Sequence, residues 1–97
     1  MNKISDYDNY TVFGWMKNEL GLKGNELHIF AILYGCTQNG MGVFHGGSDY
    51  FMSFLDLTEE DVDSALNQLI INKFIKRFRL TIDGVTKTCY QIEERFW

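Results

Sequence analysis

Four carboxylates follow one another closely in the middle of this sequence, at Glu59, Glu60, Asp61 and Asp63. They belong to a longer stretch, residues 24–72, in which 7 acids and 0 bases give a formal charge of −7. Such a stretch attracts cationic groups and repels phosphates, which proteins bind mainly through Lys and Arg. The alternative is a solvated helix start, because acids in the first turn of a helix favour its dipole. No loop with the ligand spacing of a calcium site is present.

The basic residues are concentrated towards the C-terminal end. They could contact the phosphates of duplex DNA or an acidic protein surface. The alternative is a solvated sheet face whose charges protect against edge pairing. These residues are Lys73, Lys76, Arg77, Arg79 and Lys87, and Asp83 is the one acid within residues 73–87.

Residues that could support catalysis or metal binding are scattered. His28 and His45 have no metal-ligating neighbour at a short spacing. Cys36 could be drawn with His45 as a nucleophile and base, although a buried, inert thiol is far commoner at the end of a core helix. Gly46-Gly47 lacks the lysine and serine of a phosphate-binding loop. The sequence therefore predicts no enzyme, no metal and no cofactor.

The length of 97 residues fits one small domain, and 45% hydrophobic residues suffice for a core. The polar N-terminus has no apolar signal core, and the longest apolar stretch, residues 29–34, is too short to span a bilayer. Two isolated cysteines suit a reducing compartment. We therefore expect a cytoplasmic protein without membrane contact.

Helical spacing predicts three main helices after a short one within residues 10–20. Asn25 is expected to cap the first main helix, which stops at Gln38-Asn39-Gly40. Ser48 is expected to cap the second main helix, which ends at Asp56-Leu57. Thr58 caps the third, with Asp61 three positions on. A short strand is expected at residues 43–45.

A β-hairpin follows the third helix. Residues 74–82 alternate, with Arg77 and Arg79 on one face and apolar side chains on the other. Asp83-Gly84 is a strong two-residue turn signal, and residues 85–92 return as the partner strand. This turn fixes the cross-strand pairs, which are Arg79 with Thr88 and Arg77 with Tyr90.

The order of helix, short strand, helix, helix and hairpin is that of an α+β winged helix-turn-helix. It has a three-helix core, a hairpin wing and a short extra strand, and the third helix is its recognition helix. Residues 1–20 are expected to form an N-terminal arm and short helix. Residues 21–97 would form the winged-helix domain, with one domain overall.

The sequence also resembles a known family over residues 10–92, mainly at core and turn positions. Its motifs are Gly21-Leu22-Lys23-Gly24-Asn25-Glu26-Leu27, Phe30-Ala31-Ile32-Leu33-Tyr34-Gly35, Gln38-Asn39-Gly40, Leu57-Thr58 and Lys73-Phe74-Ile75. They look like the N-terminal winged-helix domain of replisome-organiser and primosome-loading replication proteins of phages of Gram-positive bacteria. The resemblance implies binding of origin DNA and help in loading replication proteins. Family members usually carry a further C-terminal region, so we expect a truncated chain or one that has lost that part of the job.

The sequence departs from the family at the start of the third helix, where the usual residues are basic and four of residues 58–63 are acidic. The first hypothesis is a phage-derived regulator or inhibitor that docks this face on a basic, nucleic-acid-binding protein. Its binding residues would be Asp56, Glu59, Glu60, Asp61, Asp63 and Asn67. The second is a DNA-binding domain that uses Lys73, Lys76, Arg77, Arg79 and Lys87 while the acidic helix points away. The aromatic N-terminal arm leaves a homodimer open, and Ile71 beside Asn67 is a further hint of a contact surface.

Overall fold

The computed structural model describes residues 10–37 and 40–97. Within them the chain is α+β, as the sequence predicts, with four α-helices and a two-stranded antiparallel hairpin, an architecture compatible with a winged helix. The predicted N-terminal arm, residues 1–9, and the predicted turn at Gln38-Asn39 lie outside the described residues. The elements are α1 (Gly14–Asn18), α2 (Gly24–Cys36), α3 (Gly47–Leu55), α4 (Glu59–Ile71), β1 (Ile75–Ile82), β2 (Val85–Ile92) and a short 3₁₀ turn (Glu94–Phe96).

The core lies between α2, α4 and the base of the hairpin. Most of α2 is buried, which explains its apolar sequence on nearly every side. One stripe of α4 is buried, at Val62, Ala65, Leu66 and Leu69, and its spacing is that of an amphipathic helix. Burial of each large side chain of this kind contributes about 1.5–3 kcal/mol, so this stripe fixes which face of α4 is left for solvent.

The start of α4 is capped as predicted. The Asp61 backbone N–H donates a hydrogen bond to Thr58 Oγ1 at 3.1 Å. The two other predicted caps are wrong, because the helices begin earlier, at glycines with positive φ. Helix α2 begins at Gly24 after Lys23, upstream of Asn25, and α3 begins at Gly47 after Gly46, upstream of Ser48. Neither residue before these helices caps them through a side chain.

The hairpin has the predicted register. Arg79 pairs with Thr88 and Arg77 with Tyr90. Asp83 and Gly84 both have positive φ, 53° and 79°, which is the conformation of a type I′ turn. This turn follows the right-handed twist of the two strands, so it sets the pairing along their whole length.

The short strand predicted at residues 43–45 is reduced to one β-bridge between Phe44 and Tyr90. The Phe44 N–H donates to the Tyr90 carbonyl at 2.8 Å, and the Tyr90 N–H donates to the Phe44 carbonyl at 3.0 Å. The chain turns into α3 at Gly46-Gly47, which leaves no length for a longer ladder. The bridge nevertheless holds the start of α3 beside β2.

Candidate functional site

The predicted acidic cluster lies at the N-terminal end of α4 and is exposed to solvent. Glu59, Glu60, Asp61 and Asp63, which we call the acidic face, are all exposed. None of them forms an ion pair within residues 10–37 and 40–97. Their carboxylates are therefore free to meet an external cation.

Local helix chemistry accounts for part of this pattern. Glu59, Glu60 and Asp61 occupy the first turn of α4, where each carboxylate contributes about 0.3–1 kcal/mol through the helix dipole. Asp63 lies beyond that turn, and the dipole does not explain it. By helical geometry Glu60, Asp63, Asn67 and the 68% exposed Ile71 follow one side of α4, while Asp61 lies about 100° around the helix axis from Glu60. The acidic face thus continues into a polar and apolar stripe.

Asp56 stands apart from this stripe. It ends α3 in the left-handed conformation, with φ 54° and ψ 51°, and its N–H donates to the Met52 carbonyl. Its place before Thr58 gives it a role in the turn between the two helices. A role in partner binding is not needed to explain it.

The five predicted basic residues do not form one patch. Arg77 and Arg79 share the hairpin face whose base, at Tyr90, is buried. Lys76 and Lys87 fall on the opposite face by strand alternation, and Lys76 Nζ lies 3.7 Å from Glu94 Oε1. Lys73 ends α4 in the left-handed conformation, with φ 60°. We call Arg77 and Arg79 the basic hairpin face.

The two candidate surfaces adjoin, whereas the DNA-binding hypothesis expects the acidic helix to point away from the bound DNA. Arg77 Nη1 donates a hydrogen bond to Asn67 Oδ1 at 3.2 Å. Asp63 is one helical turn from Asn67, a rise of about 6 Å. This rise is less than the Debye length of about 8 Å at physiological salt, so the charge of Asp63 is only partly screened at Asn67.

A cleft that the sequence did not reveal opens between the start of α3 and the basic hairpin face. Its volume is about 460 Å³. The Phe44–Tyr90 bridge creates it by placing residues of β2 against a helix start some forty positions away. The one sequence signal of this cleft is Gly46-Gly47 before the short amphipathic segment that forms α3. The lining residues are Gly47, Ser48, Arg77, Arg79, Thr88 and Tyr90.

The histidines and cysteines form different pairs from the one considered in the sequence. His45 Nδ1 lies 3.4 Å from Cys89 Sγ, and Cys36 Sγ lies 3.7 Å from the Tyr50 hydroxyl. Both thiols are free, and Cys89 is buried. Cys36 is exposed, so the expectation of a buried thiol at the end of α2 is wrong. In the part of the chain that the structure describes, no three His, Cys, Asp or Glu side chains are placed to hold a metal ion.

Tyr10 is the titratable residue whose surroundings have the clearest effect. Its hydroxyl is hydrogen-bonded to His28 Nδ1 at 2.7 Å, and its ring packs edge-on against Phe54. Burial raises the pKa of Tyr10 above its usual value of 10.0. His28 therefore holds the start of the described chain against the core, a structural role.

Comparison with known protein families, curated proteins and solved structures gives no match. The resemblance to phage replication proteins therefore stays a prediction. No helix in residues 10–37 or 40–97 combines the length and apolar character that crossing a bilayer requires. The case for function is made from the surfaces themselves.

Proposed function

We propose that this chain is a non-catalytic cytoplasmic binding domain of winged-helix type that docks the acidic face of α4 on a basic protein surface. The observation that carries the proposal is the set of four exposed carboxylates without an ion-pair partner among the described residues. A basic surface that normally binds nucleic acid is the complementary partner. Occupying it would make the chain a regulator or inhibitor of that partner.

Electrostatics supports protein binding over duplex binding through α4. Phosphates lie along B-DNA at one charge per about 1.7 Å, so a duplex at the start of α4 would meet several carboxylates at short range. A basic protein surface reverses the sign of each of these interactions and gains in association rate.

The stripe next to the acidic face adds a second argument. Ile71 is 68% exposed, four residues beyond Asn67 and on the same side of α4. An apolar residue flanked by polar and charged side chains resembles the centre and rim of a protein interface. We expect Ile71→Ser to weaken partner binding at least several-fold. The free energy of unfolding should not change, because this exposed side chain packs little against the core.

The second candidate function is DNA binding through the hairpin. Arg77 and Arg79 are exposed and have no carboxylate partner within the described residues, which favours contact with phosphates. The same duplex would approach Asp63, one turn from the Asn67 that Arg77 contacts. This cost places DNA binding second.

The test is a triple charge reversal, Glu59→Lys, Glu60→Lys and Asp63→Lys. Wild-type and variant chains are used as bait for basic nucleic-acid-binding proteins, and both are titrated by fluorescence anisotropy into a random duplex of about 25 base pairs at two salt concentrations. Protein binding through the acidic face predicts loss of the captured partner. Stronger duplex binding by the variant, with no partner lost, would establish the second function instead.

A matched control separates a specific face from total charge. Glu60→Lys and Glu19→Lys each reverse one exposed acid, at α4 and after α1 respectively. The proposal requires that Glu60→Lys weakens the complex and Glu19→Lys does not. Equal effects of the two would show that only net charge matters, and the proposal would then be abandoned.

A further inference from the structure

We infer that the cleft between the start of α3 and the basic hairpin face binds a phosphate group of a small molecule, free or as a monoester. None of the carboxylates of the acidic face lines the cleft, so this inference goes beyond the proposed function. It rests on charge, on an unpaired tyrosine hydroxyl, on uncapped backbone donors and on size.

The first argument is the sign of the charge. Arg77 and Arg79 line one wall, and no carboxylate is among the lining residues. Arg79 makes no ion pair within the described chain, and Arg77 is engaged by the neutral amide of Asn67. Guanidinium groups bind phosphate oxygens through paired, charge-assisted N–H bonds, which makes arginine well suited to such a ligand.

The second argument is that Tyr90 offers a further hydrogen-bonding group, independent of the arginines. Tyr90 is 5% exposed and lines the cleft. Its hydroxyl makes no hydrogen bond to the described residues, and no fully buried side-chain oxygen or nitrogen among them lacks a partner. The hydroxyl is therefore still reachable from outside. A hydroxyl of a cleft-lining residue without a protein partner is available to a ligand oxygen.

The third argument comes from the backbone of α3. The first N–H groups of a helix have no intrahelical acceptor, and Gly46, the residue before this helix, offers no side chain to cap them. Gly47 and Ser48 line the cleft at this point, and Thr88 adds a hydroxyl from the opposite wall. Backbone N–H groups at a helix start, together with arginines, form a common arrangement for phosphate.

Size and surface chemistry define the ligand. A volume of about 460 Å³ admits a phosphate with a small attached group. Tyr90 is the sole aromatic residue of the lining and is almost wholly buried, so no exposed ring is available for base stacking. The phosphate group itself is therefore the recognised part.

The experiment is a ¹H–¹⁵N NMR titration of the whole chain with inorganic phosphate at constant ionic strength, repeated with ribose 5-phosphate. We expect saturable shifts of the Ser48 and Thr88 amides and of the Arg77 and Arg79 side-chain signals. Arg79→Gln should lower the affinity roughly tenfold or more, because a charged hydrogen-bond pair is lost. Tyr90→Phe, which keeps the buried ring, should lower it by about threefold.

Lys87→Gln is the matched control, since it removes one positive charge from the opposite face of the same hairpin. The inference requires that this variant binds phosphate as the wild type does. It is overturned if neither ligand gives saturable shifts, or if Arg79→Gln and Lys87→Gln weaken binding equally, because the response is then diffuse ion screening. The triple reversal on α4 should leave phosphate binding intact or strengthen it, so failure here and failure of the proposed function are distinguishable.

Discussion

The guanidinium of Arg77 donates a hydrogen bond to the side-chain oxygen of Asn67 at 3.2 Å, and this contact joins the hairpin to α4 outside the core. Arg77 comes from the residues predicted to bind DNA, and Asn67 comes from the residues predicted to bind protein. The contact therefore makes a single bipolar surface from what the sequence presented as two competing sites. Under the proposed function, a partner that binds one part of this surface also interacts electrostatically with the other part.

The energetic coupling of this pair can be measured by a double-mutant cycle. Asn67→Ala and Arg77→Ala, alone and together, should give a coupling of about 0.2–1 kcal/mol in urea unfolding, the range of exposed polar pairs. The cycle of Asn67→Ala with Arg79→Ala is the control, because Arg79 makes no contact with Asn67. Equal coupling in both cycles would show that Asn67 senses the charge of the hairpin and not a specific hydrogen bond.

Local sequence signals predicted the fold where one short segment decides the outcome. Asp83-Gly84 fixes the hairpin register without help from the core, and Thr58 caps α4 through its own hydroxyl. The caps at Asn25 and Ser48 failed because the preceding glycines adopt positive φ and start each helix earlier. Because glycine has no Cβ, it adopts positive and negative φ about equally well, and the sequence does not show which sign it takes.

The candidate site was predictable only in part, for a similar reason. Charge can be read from sequence, so the acidic face was found. The sequence does not show which distant residues lie next to each other in the fold. The contact of Asn67 with Arg77 depends on how α4 packs against β1. The cleft was missed because Ser48 and Tyr90 meet only through the Phe44 bridge, which has no sequence signature of its own.

Lys73 provides a prediction about stability. It has φ 60° at the end of α4, where the Lys73 N–H donates to the Ile70 carbonyl and the Phe74 N–H to the Leu69 carbonyl, a Schellman pattern. Glycine takes this conformation without steric cost. Lys73→Gly should raise the unfolding free energy by about 0.5–1 kcal/mol relative to Lys73→Ala, measured in urea.

Both Lys73 variants remove the same charge, so their difference isolates the backbone term. If glycine is no more stable than alanine, the left-handed conformation at this residue carries no strain. Both variants should bind duplex DNA as well as the wild type does if the lysine acts as a helix end and not as a phosphate contact.

Gly46 tests the packing that positions α3. A Cβ built there would lie 2.5 Å from Phe44 Cζ, and the Phe44 ring is buried against Tyr50 and Phe51. The ring has little room to move, so Gly46→Ala should destabilise the fold by about 1–3 kcal/mol. Its φ of −74° suits alanine, which leaves steric overlap as the cause.

Gly35→Ala is the control for that experiment. Gly35 lies exposed within α2, and a Cβ there meets nothing within 4 Å. Alanine in a helix interior should stabilise by about 0.5–1 kcal/mol. Thermal unfolding of both variants should therefore move in opposite directions, and a stable Gly46→Ala variant would show that Phe44 can repack.

Tyr10 gives a prediction about alkaline pH. Burial raises the pKa of Tyr10, so the folded state holds the phenolic proton more tightly than the unfolded state. The stability linked to this group is then complete below the unfolded value of 10.0 and is lost as pH rises from there through the folded pKa. Tyr10→Phe removes both this linkage and the hydrogen bond to His28. The variant should be less stable by about 0.5–1.5 kcal/mol near pH 7, and the gap to wild type should narrow above about pH 10 in urea unfolding. A gap that stays constant from about pH 9 to about pH 11 would mean that the phenol is equally solvated in both states.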